Sequence, residues 1–427
     1  MVDKKVRFIC GGCSLLCNDV EFNIENNKIT DTFNCCGRAD INYKNTDTPN
    51  RIKTPFIKKN GSLEPANLDD ALKKSAEILL NAKNPIIYGF TNSGCEEMFE
   101  GVILAKKLNA YIDTQQSVCL GIFNKKRKEY KLKMMKLEKV KDYVDLIVFW
   151  GSNVSDLHLR LASKYVVFPR SGIIQSGKES RTVVCIDIRP TPTEKISDIS
   201  YYVEPQKDKE LLKALIKLHD GERLTDEKIA GLPLKSVKDF YELLNGSKHK
   251  IIFIGPGFTA GGDEFESLDL IAQLAKKMGI ILMPTTSDAN TFGCDFIMRS
   301  MTRYPFAVSF KDNKTSFNDN EFSLAKLLKE NSIDAALIVN ADPMSRLPFR
   351  LVKKMAKIPM VVIDHHKTLT SDLAQVILPM SMPGVECSRT FIRLDGVITI
   401  IDKVLEPPKG VLTGSDIINK INKLIDK

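Results

Sequence analysis

Short apolar runs alternate with amphipathic segments along most of the 427-residue chain. Runs such as PIIYGF, which begins at residue 85, and KIIFIG, which begins at 250, lead into segments with helical spacing of apolar residues. Strand–loop–helix units of this kind are typical of parallel sheets in α/β proteins. Further segments in which a predicted strand runs into a polar loop are DLIVFWGSNVSD at 145–156, TVVCIDIRPTPT at 182–193, DAALIVNADPMSRLP at 334–348 and PMVVIDHHKTLTSDLAQVILP at 359–379.

Local signals predict two more elements. Asn67 precedes a segment with apolar residues at Ala71 and Leu79, which predicts a helix capped by Asn67. Near the N-terminus, VEFNI alternates, ENNK supplies turn residues and ITDTF alternates again, so we predict a β-hairpin over 20–33. This hairpin would return the chain, and with it Cys36, to the loop that precedes it.

Length and composition are those of a globular protein with more than one domain. A chain of 427 residues is too long for a single simple core, so two or three domains are expected. The chain is 43% hydrophobic and 27% charged, and no apolar run reaches the roughly 18 residues of a membrane-spanning helix. The N-terminus, MVDKKVRFICGGC, has no apolar signal-peptide core, which favours a cytoplasmic location.

The chain is basic, with 62 Lys and Arg residues, 53 Asp and Glu residues and a formal net charge of +9. Many of the lysines lie in segments with helical spacing, such as 125–142, and we interpret these segments as solvent-exposed faces. A nucleic-acid-binding protein would interleave basic and aromatic residues on a recognisable module, and the sequence contains no such module. Binding of an acidic ligand or partner is the alternative interpretation of this positive charge.

The ten cysteines supply the most specific chemical signal. Cys10, Cys13 and Cys17 have the spacing C-x2-C-x3-C, and Cys35 and Cys36 follow the predicted hairpin. Three thiolates on one tight loop with a distant fourth favour a [4Fe–4S] cluster, in which each iron takes one thiolate. Zinc stays an alternative, although it usually takes two separated pairs. We predict Cys36 as the fourth ligand, and Cys35 is the alternative.

Small and polar residues follow the predicted strands. Ligands of parallel sheets bind at the carboxyl ends of the strands, where loops rich in Gly, Ser and Asn let backbone N–H groups approach a phosphate. Several such loops together indicate a large, nucleotide-like ligand, although glycine also simply ends strands and aspartate also caps helices. No G-x-G-x-x-G stands in the right place for an NAD site. The candidate residues are Gly151, Ser152, Asn153, Asp187, Arg189, Gly255, Asn340, Asp342 and Asp364.

An N-terminal cysteine cluster followed by doubly wound α/β units is the layout of the molybdopterin oxidoreductases. The sequence resembles one branch of them, the B subunit of formylmethanofuran dehydrogenase, which carries tungsten or molybdenum. The resemblance runs along the whole chain. The combination of WGSN with the C-terminal segment RLDGVITIIDKVLEPPKGVLTG is more specific than the cysteine loop. The motifs are CGGCSLLCND, CCGRAD, RIKTPFIKKNG, SVCLG, WGSN, IDIRPTPT, TRYPFAV and RLDGVITIIDKVLEPPKGVLTG.

The resemblance implies an α/β fold of the molybdopterin oxidoreductase type, with a small N-terminal iron–sulfur domain and two doubly wound parallel-sheet domains. Single-chain relatives continue into a C-terminal β-barrel domain, which we expect here as a separate subunit. The expected domains are 1–55 with 376–427 for the iron–sulfur part, 56–134 with 289–375 for one α/β domain, and 135–288 for the other.

The resemblance also implies an activity, the first step of methanogenesis from CO2. In this family two molybdopterin guanine dinucleotides hold tungsten or molybdenum, and CO2 is reduced to formate at the metal with electrons from the [4Fe–4S] cluster. The family's pterin-binding loops match the candidate loops above, and its cysteine ligand to the metal matches Cys119 in SVCLG. From the residues alone, Cys119 would be a small buried side chain.

The implied partners are the other subunits of such a complex. An amidohydrolase subunit condenses formate onto methanofuran, a small β-barrel subunit covers the pterins, and ferredoxin-like carriers deliver electrons. The sequence does not distinguish a tungsten centre from a molybdenum centre.

The sequence departs from the family beside the expected metal. Leu120 follows Cys119 where the family has His, and in TSDANTFG Thr286 replaces an Arg and Asp288 a His. Leu120 cannot relay a proton, and Thr286 carries no charge to hold a carboxylate. Three hypotheses stay open: a formylmethanofuran dehydrogenase subunit, a catalytically degenerate paralogue that serves in electron transfer or scaffolding, and a formate dehydrogenase-like oxidoreductase acting on another small substrate.

Overall fold

A computed structural model describes residues 4–118, 121–259 and 264–426 of the chain. The chain divides into two compact units. Unit 1 takes its residues from Met1–Val118, Asp288–Arg393 and Ile398–Lys427, and unit 2 takes its residues from Cys119–Ser287 and Leu394–Val397. The finer division into three domains stays a prediction. None of the described helices has both the length and the apolar character that crossing a membrane requires.

The strands are short and most are buried. In chain order they are β1 (Lys4–Phe8), β2 (Val20–Glu25), β3 (Lys28–Phe33), β4 (Phe56–Lys59), β5 (Ser62–Pro65), β6 (Pro85–Gly89), β7 (Tyr111–Thr114), β8 (Leu146–Trp150), β9 (Thr182–Asp187), β10 (Ile199–Tyr202), β11 (Lys228–Ile229), β12 (Leu232–Pro233), β13 (Lys250–Ile254), β14 (Ile281–Pro284), β15 (Val308–Ser309), β16 (Ser316–Phe317), β17 (Ala335–Val339), β18 (Met360–Asp364), β19 (Val376–Pro379), β20 (Arg389–Ile392) and β21 (Ile398–Ile401).

Most helices connect consecutive strands. In chain order they are α1 (Gly37–Lys44), α2 (Leu68–Asn81), α3 (Cys95–Lys107), α4 (Gly121–Glu129), α5 (Leu137–Tyr143), α6 (Val154–Leu157), α7 (Asp208–His219), α8 (Leu234–Gly246), α9 (Pro256–Thr259), α10 (Glu264–Met278), α11 (Thr291–Thr302), α12 (Leu324–Lys329), α13 (Pro343–Arg346), α14 (Phe349–Met355), α15 (Leu369–Asp372) and α16 (Gly414–Ile425). Short 3-10 segments lie at Gln115–Val118, Gly177–Ser180, Pro192–Ile196 and Lys311–Asn313, and a π-helical turn lies at Ala162–Val167.

Unit 1 is built on a nine-stranded sheet with the order β16-β15-β7-β6-β17-β18-β19-β4-β5. Its centre, from β7 to β19, is parallel, and β15, β16, β4 and β5 extend it with antiparallel pairs. Among the five parallel strands the chain starts with β6, adds β7 on one side and then adds β17, β18 and β19 on the other. The strand order therefore reverses between β6 and β17, which is the topological switch point of a doubly wound sheet.

Helices cover both faces of this sheet because its central strands are apolar on both faces. Ile86 and Ile338 belong to one apolar cluster, and their neighbours Ile87 and Leu337 belong to the other. Successive side chains of a strand point to opposite faces, so a continuous apolar run requires cover on each side. The pattern read from the sequence as parallel strands is confirmed here, and so is the predicted α/β fold class.

The hairpin predicted over 20–33 is present as β2 and β3, which pair antiparallel and form a small sheet with β1. Asn26 and Asn27 make the turn, with φ values of 48° and 59°. Asparagine tolerates this left-handed region, which a two-residue hairpin turn requires. The predicted Asn67 cap is also confirmed, because Asn67 Oδ1 accepts a hydrogen bond of 2.8 Å from the Asp70 N–H.

Unit 2 contains a five-stranded parallel sheet with the order β10-β9-β8-β13-β14. The chain starts at β8, adds β9 and β10 on one side and β13 and β14 on the other, so the switch point lies between β8 and β13. Trp150, Phe240 and Phe258 pack together in its main apolar cluster, with α7, α8 and α10 over that face. Both predicted doubly wound sheets are therefore present.

A buried ion pair ties α3 to β20 and α16 within unit 1. Glu97 Oε1 accepts hydrogen bonds from Arg389 Nε at 2.7 Å and from the Ser415 N–H at 3.2 Å. Its other oxygen accepts a hydrogen bond from the Gly94 N–H at 2.9 Å. Glu97 is fully buried, and burial raises the pKa of its carboxyl group while the Arg389 cation opposes that rise.

Removing Glu97 should therefore destabilise unit 1. Glu97→Ala removes the buried carboxylate that lies 2.7 Å from the Arg389 cation, so we expect a loss of about 3–5 kcal/mol in the free energy of unfolding. Denaturant unfolding measures this loss. The matched control is Glu77→Ala on α2, which breaks an exposed pair with Lys74 and should leave stability unchanged within error. Equal midpoints for the two variants would contradict the account.

Candidate functional site

In unit 1 the loops that follow β6 and β17 lie side by side at the switch point. The Phe90 N–H donates to Val339 O at 2.9 Å, and Asn340 Nδ2 donates to Asn92 O at 2.9 Å. Phe90 and Asn340 both have left-handed backbone conformations, with φ values of 77° and 47°. The predicted candidate Asn340 thus positions the neighbouring loop, because its side chain holds that loop's backbone in place.

The segment 288–290 of unit 1 is fixed to the loop after β6. Thr91 Oγ1 donates to Asp288 Oδ2 at 2.7 Å, and the Asn290 N–H donates to Thr91 O at 2.7 Å. Asn290 Nδ2 also donates to Ser93 O at 2.8 Å. Asp288 stands where the resembled family has a histidine, and here its carboxylate is part of the edge of the sheet.

Arg346, at the end of α13, completes this network. Its guanidinium makes a bidentate pair with Asp288, with Nη1–Oδ2 at 3.1 Å and Nη2–Oδ1 at 2.9 Å. The Arg346 side chain is 45% exposed, whereas that of Asp288 is 9% exposed. A partly exposed cation therefore lies at the carboxyl edge of the sheet. Sequence analysis missed Arg346, because 58 residues separate it from Asp288 and no motif links them.

The two predicted carboxylates of unit 1 hold loops in place: Asp342, after β17, bonds to α15, and Asp364, after β18, bonds to its own loop. Asp342 Oδ1 accepts from the Thr370 N–H at 3.1 Å and from Thr370 Oγ1 at 2.6 Å. Asp364 Oδ1 accepts from the His365 N–H at 2.6 Å and lies 3.0 Å from His365 Nδ1. Burial lowers the pKa of the adjacent His366 to about 4, helped by the charges of His365 and Arg51. Asp342 and Asp364 therefore shape the loops after β17 and β18.

Three buried polar atoms near this edge have no partner among the described residues. They are the amide nitrogen and oxygen of Gln116, which follows β7, and the hydroxyl of Ser93, in the loop after β6. Gln116 is 1% exposed and Ser93 is 0% exposed. A buried polar group without a hydrogen bond costs about 1–3 kcal/mol. Sequence analysis missed both residues, since neither belongs to a recognisable motif.

In unit 2 the loops after β8 and β13 pack backbone against backbone. A Cβ atom on Gly255 would lie 2.1 Å from Gly151 O, and one on Gly151 would lie 2.3 Å from Phe258 N. Gly151 also has a φ of +54°, a left-handed conformation that favours glycine. The packing of the two loops thus requires both glycines, whether or not a ligand binds there.

The other candidates of unit 2 line the same carboxyl edge. Ser152 Oγ lies 2.7 Å from Thr285 Oγ1, and Asn153 Oδ1 accepts from Thr193 Oγ1 at 2.8 Å. Asp187, at the end of β9, accepts from the Ile188 N–H at 2.8 Å, and Arg189 is exposed. The structure therefore places the six predicted residues of this unit at one edge of its sheet; they are Gly151, Ser152, Asn153, Asp187, Arg189 and Gly255.

Thr286 lies in unit 2, in the segment that follows β14. Its side chain is 3% exposed, and its carbonyl oxygen lies 2.9 Å from His158 Nε2. The predicted metal ligand Cys119 and its neighbour Leu120 lie outside the described residues. The structure describes the 3-10 segment before them, Gln115–Val118, and helix α4 after them.

The first three cysteines form a compact loop in unit 1. The Cys10 N–H donates to Cys17 O at 2.9 Å, and the Leu16 N–H donates to Cys13 O at 3.2 Å. The Cys10 sulfur accepts from the Gly12 N–H at 3.4 Å and from the Tyr43 hydroxyl at 3.5 Å. Hydrogen bonds to a sulfur stabilise its thiolate form, which is the form that ligates metals.

Both candidate fourth ligands influence groups of this loop: the charge of Cys36 acts on the pKa of Cys13, and that of Cys35 on the pKa of Tyr43, whose hydroxyl donates to Cys10. Burial raises the pKa of Cys13 to about 12, and the thiolate charges of Cys17 and Cys36 add to the rise. Burial also raises the pKa of Cys10, with smaller contributions from Cys13 and Cys17. Without a cation these thiols would stay protonated. Within residues 4–118, 121–259 and 264–426, no group of three or more His, Cys, Asp or Glu residues is arranged to hold a single metal ion.

The comparisons with known proteins place the chain in a family. The molybdopterin oxidoreductase family model matches residues 51–424. The chain is 32% identical to the B subunit of tungsten-containing formylmethanofuran dehydrogenase 2 from Methanocaldococcus jannaschii, over 100% of this chain and 99% of that protein. It is 30% identical to the protein of the same name from Methanococcus maripaludis, over 98% of each.

Solved structures show the same fold at low sequence identity. A chain of the formyltransferase/hydrolase complex (FhcABCD) of Methylorubrum extorquens matches with a TM-score of 0.70 and 15% identity, over 87% of this chain and 99% of that one. Acetylene hydratase from Pelobacter acetylenicus matches with a TM-score of 0.72 and 14% identity, over 98% of this chain and 69% of that one. The chain belongs to the molybdopterin oxidoreductase family, in its branch of tungsten-containing formylmethanofuran dehydrogenase B subunits.

Proposed function

We propose that this chain is the redox subunit of a formylmethanofuran dehydrogenase, which reduces CO2 to formate at a tungsten or molybdenum centre held by two molybdopterin guanine dinucleotides. The observation that carries the proposal is 32% identity along the full length of a subunit with that name. The match therefore includes the N-terminal cysteines and both parallel sheets. When bound, the metal–pterin centre supplies two-electron chemistry on CO2.

The edge of unit 1 suits a ligand rich in hydrogen-bonding groups. The amide of Gln116 and the hydroxyl of Ser93 are buried donors and acceptors without partners among the described residues. A pterin carries ring nitrogens, a carbonyl and amino groups that can pair with such atoms. Asn340, Asp342 and Asp364 hold the surrounding loops in place, so their role here is to position the edge.

Charge at this edge favours an anionic ligand. Pterin dinucleotides carry phosphate groups, and the Arg346 guanidinium, which pairs with Asp288 and is 45% exposed, places a cation at this edge. The pair with Asp288 fixes the guanidinium plane, so little rotamer entropy would be lost when a phosphate binds. Arg346 is therefore our candidate for the charge-balancing residue of unit 1.

The edge of unit 2 offers a second, more polar surface. Ser152 and Asn153 lie in the loop after β8, which packs on the loop after β13 through Gly255. Asp187, at the end of β9, can accept hydrogen bonds from ribose hydroxyls, and the exposed Arg189 can approach a phosphate. These residues would hold one dinucleotide, and those of unit 1 the other.

The N-terminal loop would hold a [4Fe–4S] cluster through Cys10, Cys13, Cys17 and Cys36. An iron cluster offsets the cost that burial imposes on these thiolates, because its positive charge favours the deprotonated ligand. Arg38, just after Cys36, also lowers the pKa of Cys13. The predicted partners are an amidohydrolase subunit, a small β-barrel subunit and ferredoxin-like electron carriers.

A second candidate function rests on the departures from the family. Thr286 is an uncharged, buried residue where the family has Arg, and Leu120 stands where it has His. On this reading the chain is a scaffold or electron-transfer subunit without its own turnover. A dehydrogenase-like activity on another small substrate is the third hypothesis.

Cys36 and Cys35 form a matched pair for testing the cluster. Cys36→Ala should lower the iron content and the visible absorbance of the anaerobically purified protein, because Cys36 is the predicted fourth thiolate ligand. Cys35→Ala is the control and should leave both unchanged. The reverse result would make Cys35 the ligand, and two unaffected variants would contradict a cluster at this loop.

Gln116 tests the pterin site with two readouts. Gln116→Met keeps the side-chain length and removes the unpaired amide, so the cofactor-free protein should be equally stable or more stable, by up to about 3 kcal/mol. The assembled complex should in turn retain less pterin per chain after gel filtration. Thermal unfolding and pterin fluorescence after oxidation measure the two effects. Lower stability with full pterin content would show that the amide serves the fold instead.

Turnover tests the proposed function itself. The complex should reduce a viologen dye with formate, and Cys119→Ser should abolish this reaction and lower the tungsten or molybdenum content. The absorbance of the N-terminal cluster should stay unchanged in that variant and is its internal control. A native complex that is loaded with metal and pterin but inert towards formate would favour another substrate. A complex without pterin would favour the scaffold.

A further inference from the structure

A groove with a volume of about 720 Å³ opens on the surface of unit 1, bounded by α3, α11, α16 and the β20–β21 hairpin. We call it the acidic groove and define it by its apolar residues Phe99, Phe296 and Ile398 and its carboxylates Glu96, Glu100 and Asp416. It shares no residue with the loops at the carboxyl edge of the nine-stranded sheet. The redox chemistry proposed above does not use it.

The apolar residues of the acidic groove are strongly exposed. Phe99 is 44%, Phe296 is 51% and Ile398 is 62% exposed. Exposed apolar surface that is clustered and rimmed by polar groups marks interaction sites, whereas single exposed apolar residues need no explanation. Covering such surface by a partner is favourable because it removes apolar area from water.

The fold of unit 1 does not account for these side chains. On α3 the core-facing residues are Met98 and Val102, and both are fully buried. On α11 the corresponding residues are Cys294 and Met298, also fully buried. Phe99 and Phe296 lie outside these core stripes, at positions where a surface helix ordinarily carries polar residues. Because neither side chain belongs to a core-facing stripe, the core of unit 1 does not require them. Their apolar character therefore indicates a role outside the unit.

The charge of the acidic groove is opposite to that of the chain. The protein has a net charge of +9, yet the residues that line the groove include three carboxylates and neither Lys nor Arg. Glu96 accepts from the Thr390 hydroxyl at 2.8 Å and has Arg389 at 4.0 Å. In the part of the chain that the structure describes, Glu100 and Asp416 have no ion-pair partner, although each accepts a hydrogen bond.

We propose that the acidic groove binds a segment of another subunit of the complex, one that presents apolar side chains beside lysine or arginine. The apolar floor would take the apolar side chains, and Glu100 and Asp416 would pair with the cations. Charge complementarity of this kind steers association and selects partners, and burial of the apolar floor supplies affinity. The proposal goes beyond the redox function and would hold for the scaffold hypothesis as well.

Photo-cross-linking in the intact complex tests this proposal. A benzophenone-bearing phenylalanine analogue at position 99 should cross-link to a peptide of a different subunit that contains Lys or Arg within a few residues of the contact. The control carries the same analogue at Leu80 on α2, which is 52% exposed and lies outside the groove. We expect a yield at position 99 at least about tenfold above this control.

Two results would overturn the proposal. Cross-links only to a second copy of this chain would make the groove a self-association surface. A yield at position 99 no higher than at position 80 would mean that the groove stays open to solvent. Mass spectrometry of the linked peptides distinguishes these outcomes, because it identifies both partners.

A charge reversal supplies an independent readout. Glu100→Lys should release the partner subunit from the purified complex at a several-fold lower salt concentration than the native chain requires. Glu77→Lys on α2 is the control, since Glu77 is exposed and lies outside the groove. Circular dichroism checks that both variants fold. Equal salt sensitivity of the two variants would exclude the charge pairing.

Discussion

The geometry of the candidate site depends on how parallel strands end. The five central strands of the unit 1 sheet and the five strands of the unit 2 sheet are parallel, so their following loops meet at one edge of each sheet. The reversal of strand order separates two of those loops. In unit 1 the reversal lies between β6 and β17, and in unit 2 between β8 and β13. Helices connect most of these strands and cover the faces, which leaves the carboxyl edge as the place where polar loops collect.

The periodicity of the sequence was sufficient to predict the central parallel strands and the N-terminal hairpin, but not the order of the strands in their sheets. Apolar runs such as Ala335–Val339 became buried strands, and the Asn26–Asn27 turn closed the predicted hairpin. Strand order depends on which strands pair across long separations in the chain, and local periodicity carries no such information. The pairing of β6 with β17, which joins residues about 250 apart, could be seen only in the structure.

The candidate residues at the edges divide by what their side chains contact. Asp342 and Asp364 were predicted from their place after a strand; Asp342 bonds to Thr370 of α15 and Asp364 to the backbone of its own loop. Arg346 and Gln116 were missed because their significance is spatial: one pairs with a distant carboxylate, and the other is a buried amide without a partner among the described residues. The position of a residue after a strand was therefore enough to place it at the carboxyl edge of the sheet. The role of each side chain could be assigned only from its contacts in the structure.

The central claim is that these two edges hold molybdopterin guanine dinucleotides and a metal. The most direct measurement is the tungsten, molybdenum and pterin content of the native complex, purified without oxygen. We predict two pterins per copy of this chain together with tungsten or molybdenum. Iron without any pterin would contradict the claim and would leave a chain that keeps the fold and an iron–sulfur loop without the redox centre.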